Sequence, residues 1–300
     1  MPACARGLVM PAQPPPSSRP PGRGPHLRPL TSARNPQLKL LRLLANKRTR
    51  REQRLMVAEG EDLVFAGLAH GVRPQVLFVD AERADEVRPL LDRLGDVSEA
   101  YSVPRDLLAS ASQLAAPPRV MAILPQPGPY SFRDVAFPPT LGVWLAGVAD
   151  PGNVGTLVRS AAALGADWVA LGPGSADPYH PRAVRAAMGA TFSIPLLEGV
   201  RGEDLASRVG FRVIAAVVDA GVPPWATDLR GPIVIALGGE REGLGPGLEQ
   251  LGSACVIERV TIPQTDGAES LNVSAAGAVL FAEALRQRSL GQIDPAGPVA

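Results

Sequence analysis

The second half of the chain alternates unbroken apolar runs with helix-patterned segments, and this alternation restricts the fold more than any other feature. "LGVWLAGV" from Leu141 and "GPIVIALGG" from Gly231 carry no polar residue at alternate positions. A strand with one face in water reads apolar, polar, apolar. A strand apolar throughout is covered on both faces, as parallel strands are beneath βα crossovers. "DWVAL", "FSIPLL", "FRVIAAVV" and "VIERVTIP" read as further strands. Between them fall helical stretches. "NVGTLVRSAAALG" is stopped by Gly165, "HPRAVRAAMGA" has Pro181 at an entry position, and "GEDLASRV" and residues 273–288 follow. Residues 140–288 are therefore expected to form an α/β unit with a mostly parallel sheet and helices on both faces.

The preceding stretch, residues 33–125, reads as a smaller α/β domain. Leu38, Leu41 and Leu44 share one helical face, and Val64 and Leu68 another. "RLMVAEG", "QVLFVD", "SEAYSV" and "RVMAILP" read as strands. "ADEVRPLLDRLG" and "PRDLLASASQL" read as helices. Residues 126–139 are proline-rich and aperiodic, and are expected to be a linker. Residues 1–32, with "PAQPPPSSRPPGRGP", are expected to be a disordered tail, and residues 289–300 a flexible one.

Charge is divided along the chain. The net charge is +1, yet residues 1–54 hold twelve Lys or Arg and one acid, Glu52, while the remainder is acidic. A basic front end on an acidic body points to an anionic partner, with nucleic acid first. The only lysines are Lys39 and Lys47, so neither a Schiff-base lysine nor a P-loop lysine operates in the body. Cys4 and Cys255 make no metal-binding spacing, and a zinc site or disulfide framework is not expected. No apolar run approaches the ~20 residues that span a bilayer. The expectation is a cytosolic protein.

In an open parallel sheet, ligands bind at the carboxyl ends of the strands. Three loops at such ends stand out. "GVADPGNVGTLVRS" opens a helix with Asn153 placed as a cap and Arg159 six residues on. "IALGGEREGLGPG" lets backbone approach a ligand closely, but lacks both the Gly-Lys-Ser/Thr of a phosphate loop and the early GxGxxG of a dinucleotide site. "IPQTDGAESLNVSAAG" sets Ser270 and Asn272 at the entry of a small-residue helix, with Ser270 the expected cap.

Together these loops resemble the ordered motifs of the SpoU (TrmH) family of RNA ribose 2′-O-methyltransferases, in the SPOUT superfamily. Asn153 and Arg159 match the first motif. Gly238, Glu240, Gly243 and Leu244 match the second, and Ile262, Pro263, Ser270, Leu271 and Asn272 the third. "DPYHPRAVRAAMGATFSIPL" is similar to the family as well. The chain departs from the pattern at Gln264, where Met is usual, at Asp266, where a glycine is common, and at Gly239, often Asn.

The resemblance implies a deep trefoil knot over residues of about 232–288 and bound S-adenosylmethionine. Gly238, Gly239, Gly243, Leu244, Ile262, Leu271 and Asn272 would hold this cofactor. It implies Arg159, Asn153, Glu240, Ser270 and Asn272 as the catalytic group. Arg159 would sit at the ribose hydroxyl with help from an RNA phosphate, Asn153 would orient it, and Glu240 would hold the cluster. The front domain would be a ribosomal-protein-like RNA-binding domain. Arg34, Asn35, Lys39, Lys47, Arg48, Arg50, Arg51 and Arg54 would contact phosphates, which set affinity and register rather than sequence. A homodimer joined through helix 153–164 and the terminal helix is implied, with the arginine reaching the neighbouring subunit. Glu59 and Gly60 fit the family pattern in a structural role. A separate front domain favours 23S ribosomal RNA as substrate over transfer RNA. Two rivals are a non-catalytic RNA-binding protein on the same scaffold and a nucleotide enzyme of other chemistry using Tyr179 and His180.

Overall fold

A computed structural model of the chain describes residues 24–94, 97, 99–240, 243–251, 255–265 and 270–289. Two sheets succeed one another. In the front sheet, β1 (Arg28–Pro29), β2 (Leu55–Glu59), β3 (Val76–Asp80), β4 (Glu99–Val103) and β5 (Val120–Pro125) lie in the order β1-β4-β3-β5-β2. Its helices are α1 (Pro36–Leu43), α2 (Lys47–Gln53), α3 (Glu61–Ala69), α4 (Arg88–Leu94) and α5 (Arg105–Ala109). β5 runs antiparallel to both β2 and β3, so this sheet is mixed.

The expected tail reaches only part of the way. Arg28 and Pro29 pair in parallel with Tyr101 and Ser102, and Leu30 is buried. Leu27 and Leu30, packed on the cores, and the pairing with β4 hold residues 27–30, which fall within the stretch expected to be disordered. Residues 1–23 and 290–300 lie outside the described residues.

The second sheet contains β6 (Leu141–Ala146), β7 (Trp168–Leu171), β8 (Leu196–Glu198), β9 (Arg212–Ala216), β10 (Ile233–Gly238) and β11 (Val256–Val260). Their order is β11-β9-β10-β6-β7-β8 and every pairing is parallel. The connecting helices are α6 (Pro151–Ala163), α7 (Pro181–Ala187), α8 (Gly202–Ala206), α9 (Gly245–Leu251) and α10 (Val273–Ser289). The expected α/β architecture is present. The chain leaves β6 towards β7 on one side and returns through β10 on the other, so strand order reverses between β6 and β10. Such a reversal opens a crevice at the carboxyl ends.

Packing of the helices onto this sheet depends on small residues. A Cβ on Gly155 of α6 would collide with the Ala183 carbonyl of α7, and one on Gly277 of α10 would collide with Leu157. The expected linker is a strap rather than a free tether. Phe132 and Phe137 pack on the Trp168 ring, with centroids 5.5 and 6.5 Å away, and Arg208 stacks over Phe132 at 4.2 Å.

Polar contacts join the sheets. Arg50 of α2 is buried and donates from Nε and Nη2 to Asp177 Oδ2 at 2.9 and 2.6 Å. Its Nη1 donates to the Leu44 and Ala45 carbonyls, both at 2.8 Å. Arg185 of α7 reaches buried Glu59 at 3.3 Å, the structural role expected of that carboxylate. No helix among the described residues is long and apolar enough to cross a membrane.

Candidate active site

Three loops converge where strand order reverses. Asp150, not Asn153, caps α6: its Oδ1 accepts from the Asn153 N–H at 3.0 Å, and Pro151 fills the first turn. The Asn153 side chain is thereby released from capping. Its Nδ2 donates to Glu240 Oε1 at 2.5 Å, and its Oδ1 accepts from Asn272 Nδ2 at 3.1 Å. Asn272 caps α10 through the same side chain, its Oδ1 accepting from Ser274 N–H at 2.9 Å. The cap expected of Ser270 is therefore made two residues later, because the helix starts at Val273. A chain of hydrogen bonds, Glu240 to Asn153 to Asn272, links all three motifs.

Two clefts flank that chain. One, of about 400 Å³, lies beyond β9, β10 and β11, and is lined by Gly238, Gly239, Gly243, Ile262, Ser270, Leu271 and Asn272 among others. Its size falls in the range of small-molecule sites. Here the backbone comes unusually close. A Cβ on Gly238 would collide with the Gly243 carbonyl, and Gly243 N–H donates to the Gly239 carbonyl at 2.9 Å with φ of +60°. Glycine is required at both positions, for proximity at one and for left-handed backbone at the other. Val218 and Leu271 leave apolar surface open at this cleft, 65% and 41% exposed, which a flat hydrophobic ligand would cover. Leu244 does not join them. It is buried in the core beneath the sheet because its side chain turns inward at the start of α9. Gln264 lines the cleft, and Asp266 lies outside the described residues.

The second cleft, about 830 Å³, opens beyond β6, β7 and β10 and shares Gly239, Glu240 and Gly243 with the first. Asp150, Gly172, Pro173, Gly174 and Gln250 also line it. Sequence reasoning missed this loop at the end of β7. The signal was available: "GPGSADP" follows an apolar strand and is dense in turn residues.

Arg159 is exposed on α6, lines neither cleft and has no side-chain partner among the described residues. The structure does not bring it to its own chain's clefts. Six residues of helix turn it well off the face that carries Asn153.

The basic front residues divide. Arg34, Lys39, Lys47, Arg48 and Arg51 are exposed, with Arg48 paired to Glu52 at 2.6 Å. Arg50 is a correction: it is buried against Asp177, so it cannot meet a phosphate. Asn35 is half-buried, and its Oδ1 caps α1 by accepting from the Gln37 and Leu38 N–H groups. Arg54 is half-buried, with Nη1 3.8 Å from Glu198. Arg51 approaches the same carboxylate at 3.6 Å. Burial, reinforced by the charge of Asp177, nevertheless holds the Glu198 carboxyl above its ordinary range. Tyr179 and His180 are occupied by packing. The buried Tyr179 hydroxyl donates to the Pro127 carbonyl, and burial lowers the His180 pKa, consistent with its Nδ1 accepting from Arg182 N–H at the start of α7.

Comparison with known proteins agrees with this geometry. The SpoU rRNA Methylase family profile matches residues 140–282, and an MRM3-like substrate binding domain matches residues 35–122. A tRNA/rRNA methyltransferase of Synechocystis, itself uncharacterized, is 31% identical over 86% of this chain and 94% of its own length. The 23S rRNA (uridine(2479)-2′-O)-methyltransferase of Streptomyces viridochromogenes is 30% identical over 90% of this chain and 96% of its own. A crystal structure of an AdoMet-bound rRNA methyltransferase from Sinorhizobium meliloti superimposes with a TM-score of 0.73 at 30% identity, covering 87% of this chain and 98% of that one.

Proposed function

The chain belongs to the SpoU rRNA methylase family, and from that premise we propose that it transfers a methyl group from S-adenosylmethionine to a ribose 2′-hydroxyl in 23S ribosomal RNA. The observation that carries this reading is the Glu240–Asn153–Asn272 chain, which stands between a close-backboned cleft of about 400 Å³ and a wider one of about 830 Å³. In the first, the glycine backbone, Ile262 and Leu271 would hold the cofactor through apolar and close-backbone contact, and Ser270 and Asn272 would offer it polar groups. The second admits a nucleotide. When bound, S-adenosylmethionine supplies a methyl already activated on a sulfonium. The protein's task is then to align the hydroxyl and stabilise it as its proton leaves, and alignment alone can lower a barrier by ~7–11 kcal/mol.

Within this proposal Glu240 fixes Asn153, and Asn153 orients the incoming group. Arg159 stabilises the developing alkoxide, with a phosphate of the RNA receiving the proton, since a guanidinium of pKa above ~12 is a costly base. Its exposure on α6 supports action on the cleft of a second copy. Val279 and Leu285, 43% and 39% exposed on α10, and Val256, 62% exposed on β11, support a homodimer built on that side. A trefoil knot around β10, β11 and α10, and a front unit of residues 33–125 that binds RNA, belong to the same proposal.

The test maps ribose methylation in ribosomal RNA from cells with and without the gene. A missing 2′-O-methyl group in the deletion is expected, and identical maps would sink the proposal. In vitro, Arg159→Ala should lower kcat about 10²–10³-fold with S-adenosylmethionine binding intact. Mixing Arg159→Ala with Asn272→Ala subunits should restore a fraction of the rate, because one site per mixed dimer regains both groups. No recovery on mixing would place Arg159 outside the partner's site.

A further inference from the structure

The wider cleft does not end at its own rim. Its Gly172–Gly174 turn forms one wall of a second hollow, lined on the far side by Lys47 and Arg51 of α2. That hollow shares Glu198 and Gly199 with a third, lined by Tyr130, Arg133 and Arg208 from the strap and α8 side. These shared walls set the three hollows in series, as a groove running from the candidate nucleotide cleft past α2 and the β7–α7 loop to Tyr130–Arg133, within the stretch that the sequence presents as a linker.

Both signs of charge line this groove, with Asp150 and Glu240 at the cleft end, Asp150 already paired with Arg182 at 2.9 Å, and the cations gathered beyond the Gly172–Gly174 turn. Lys47 is exposed and makes no hydrogen bond or ion pair within 4 Å among the described residues, although its charge acts on Glu198. The Arg133 side chain is likewise exposed and makes no hydrogen bond or close ion pair among the described residues, with the Asp134 charge nearby and its backbone N–H donating to Ser131 Oγ. Arg51 and Arg54 share Glu198 at 3.6 and 3.8 Å, beyond hydrogen-bonding distance. Asp177, the other carboxylate beside the notch, is already consumed by Arg50. Asp204, near the far end, accepts from the Arg201 backbone. A groove whose cations Lys47, Arg51 and Arg133 form no hydrogen bond to a carboxylate, with an aromatic side chain, Tyr130, at its end, has elements of single-stranded nucleic-acid tracks, where cations follow the phosphates and rings receive bases.

We propose that this groove guides the single RNA strand adjoining the target nucleotide, with Lys47, Arg51 and Arg133 meeting its phosphates. The assignment rests on the reading of the protein as an RNA methyltransferase, and it gives the strap a binding role. The buried Arg50–Asp177 pair then has a positioning consequence: it fixes α2 against the loop that walls the cleft, so the phosphate contacts keep a set distance from the reacting nucleotide.

The test measures binding of a fluorescein-labelled oligouridylate to the full chain across a range of salt concentrations. Each phosphate contact on a single strand contributes about 0.7 to the slope of log K against log salt. The triple variant Lys47→Ala, Arg51→Ala, Arg133→Ala should lower the magnitude of that slope by about 2, and Arg93→Ala, exposed on α4 and away from the groove, should not. The exchange Lys47→Arg, Arg51→Lys, Arg133→Lys should retain the slope. Calorimetry with S-adenosylmethionine should give the same affinity for all variants. An unchanged slope in the alanine triple overturns the track, as does an equal loss in Arg93→Ala. Methyl incorporation into ribosomal RNA by the wild type is scored separately, so a failure of the enzymatic reading is distinguishable from a failure of the groove.

Discussion

Two polar networks occupy the loops at the carboxyl ends of the second sheet, and they are built in opposite ways. At the joint between the sheets, Arg50 and Asp177 are buried. The guanidinium reaches the carboxylate twice and two carbonyls besides, while Asp177 Oδ1 accepts from Tyr179 N–H. At the cleft, Glu240 and Asn272 are exposed and Asn153 is half-buried, and Glu240 accepts a single hydrogen bond among the described residues although a carboxylate can take several. A closed network has no capacity left and serves position. An open one has capacity to spare, and that surplus marks where a ligand completes the set. Two polar clusters within one protein are told apart by burial and by what remains unbonded.

The largest expected effect breaks the closed network. Arg50→Ala leaves Asp177 buried without its counter-ion, and removal of one partner from such a pair costs about 3–5 kcal/mol. Urea denaturation should show a loss of that size. The matching change in the open network, Asn153→Ala, should cost under about 0.5 kcal/mol, as a surface change does, while methyl transfer falls. If Arg50→Ala were as mild as Asn153→Ala, the distinction between the two networks would collapse.

A smaller effect separates the cleft's backbone from its side chains. Gly238→Ala places a methyl group against the Gly243 carbonyl and the Leu244 nitrogen. The turn must open, at about 1–3 kcal/mol as in other overpacked sites. S-adenosylmethionine affinity should fall at least about tenfold by calorimetry, equivalent to about 1.4 kcal/mol. Affinity unchanged in a folded variant would show that the close approach of the two glycines shapes the turn but not the site.

The contrast also explains what could be read from the chain. Strands such as Leu141–Ala146 and Ile233–Gly238 were legible because burial on both faces leaves an apolar mark at every position. α2 was not, since "KRTRREQ" has no apolar residue for a periodicity to detect, and its one buried side chain is Arg50. The same blindness turned Arg50 into an expected phosphate contact: charge is written in sequence, but burial of charge is written in the partner, Asp177, 127 positions away. α9 was hidden by its Gly-Pro-Gly start. In the cleft the motif residues Asn153, Glu240 and Asn272 are joined by hydrogen bonds. The division of labour was not visible, because choosing Asp150 over Asn153 and Asn272 over Ser270 as caps depends on helix starts that shift by one or two residues.

The smallest effect tests the joint at its loose edge. Glu198 has two guanidinium groups nearby, yet neither lies within hydrogen-bonding distance, and burial together with Asp177 outweighs them, raising its pKa. A carboxyl whose pKa is higher folded than unfolded binds more protons in the native state, so its ionised form costs stability. That cost is absent below the unfolded carboxylate range near ~4.3 and grows as pH rises through the window up to the raised value. Glu198→Gln should therefore be slightly more stable than the wild type at neutral pH, by less than about 1 kcal/mol, and the advantage should vanish on acidification into the ordinary carboxylate range. Denaturation series at neutral and acidic pH measure it. A variant less stable at neutral pH would mean that Arg51 and Arg54 hold Glu198 as firmly as Arg50 holds Asp177, and the joint would then be closed along its whole length rather than open where the groove passes.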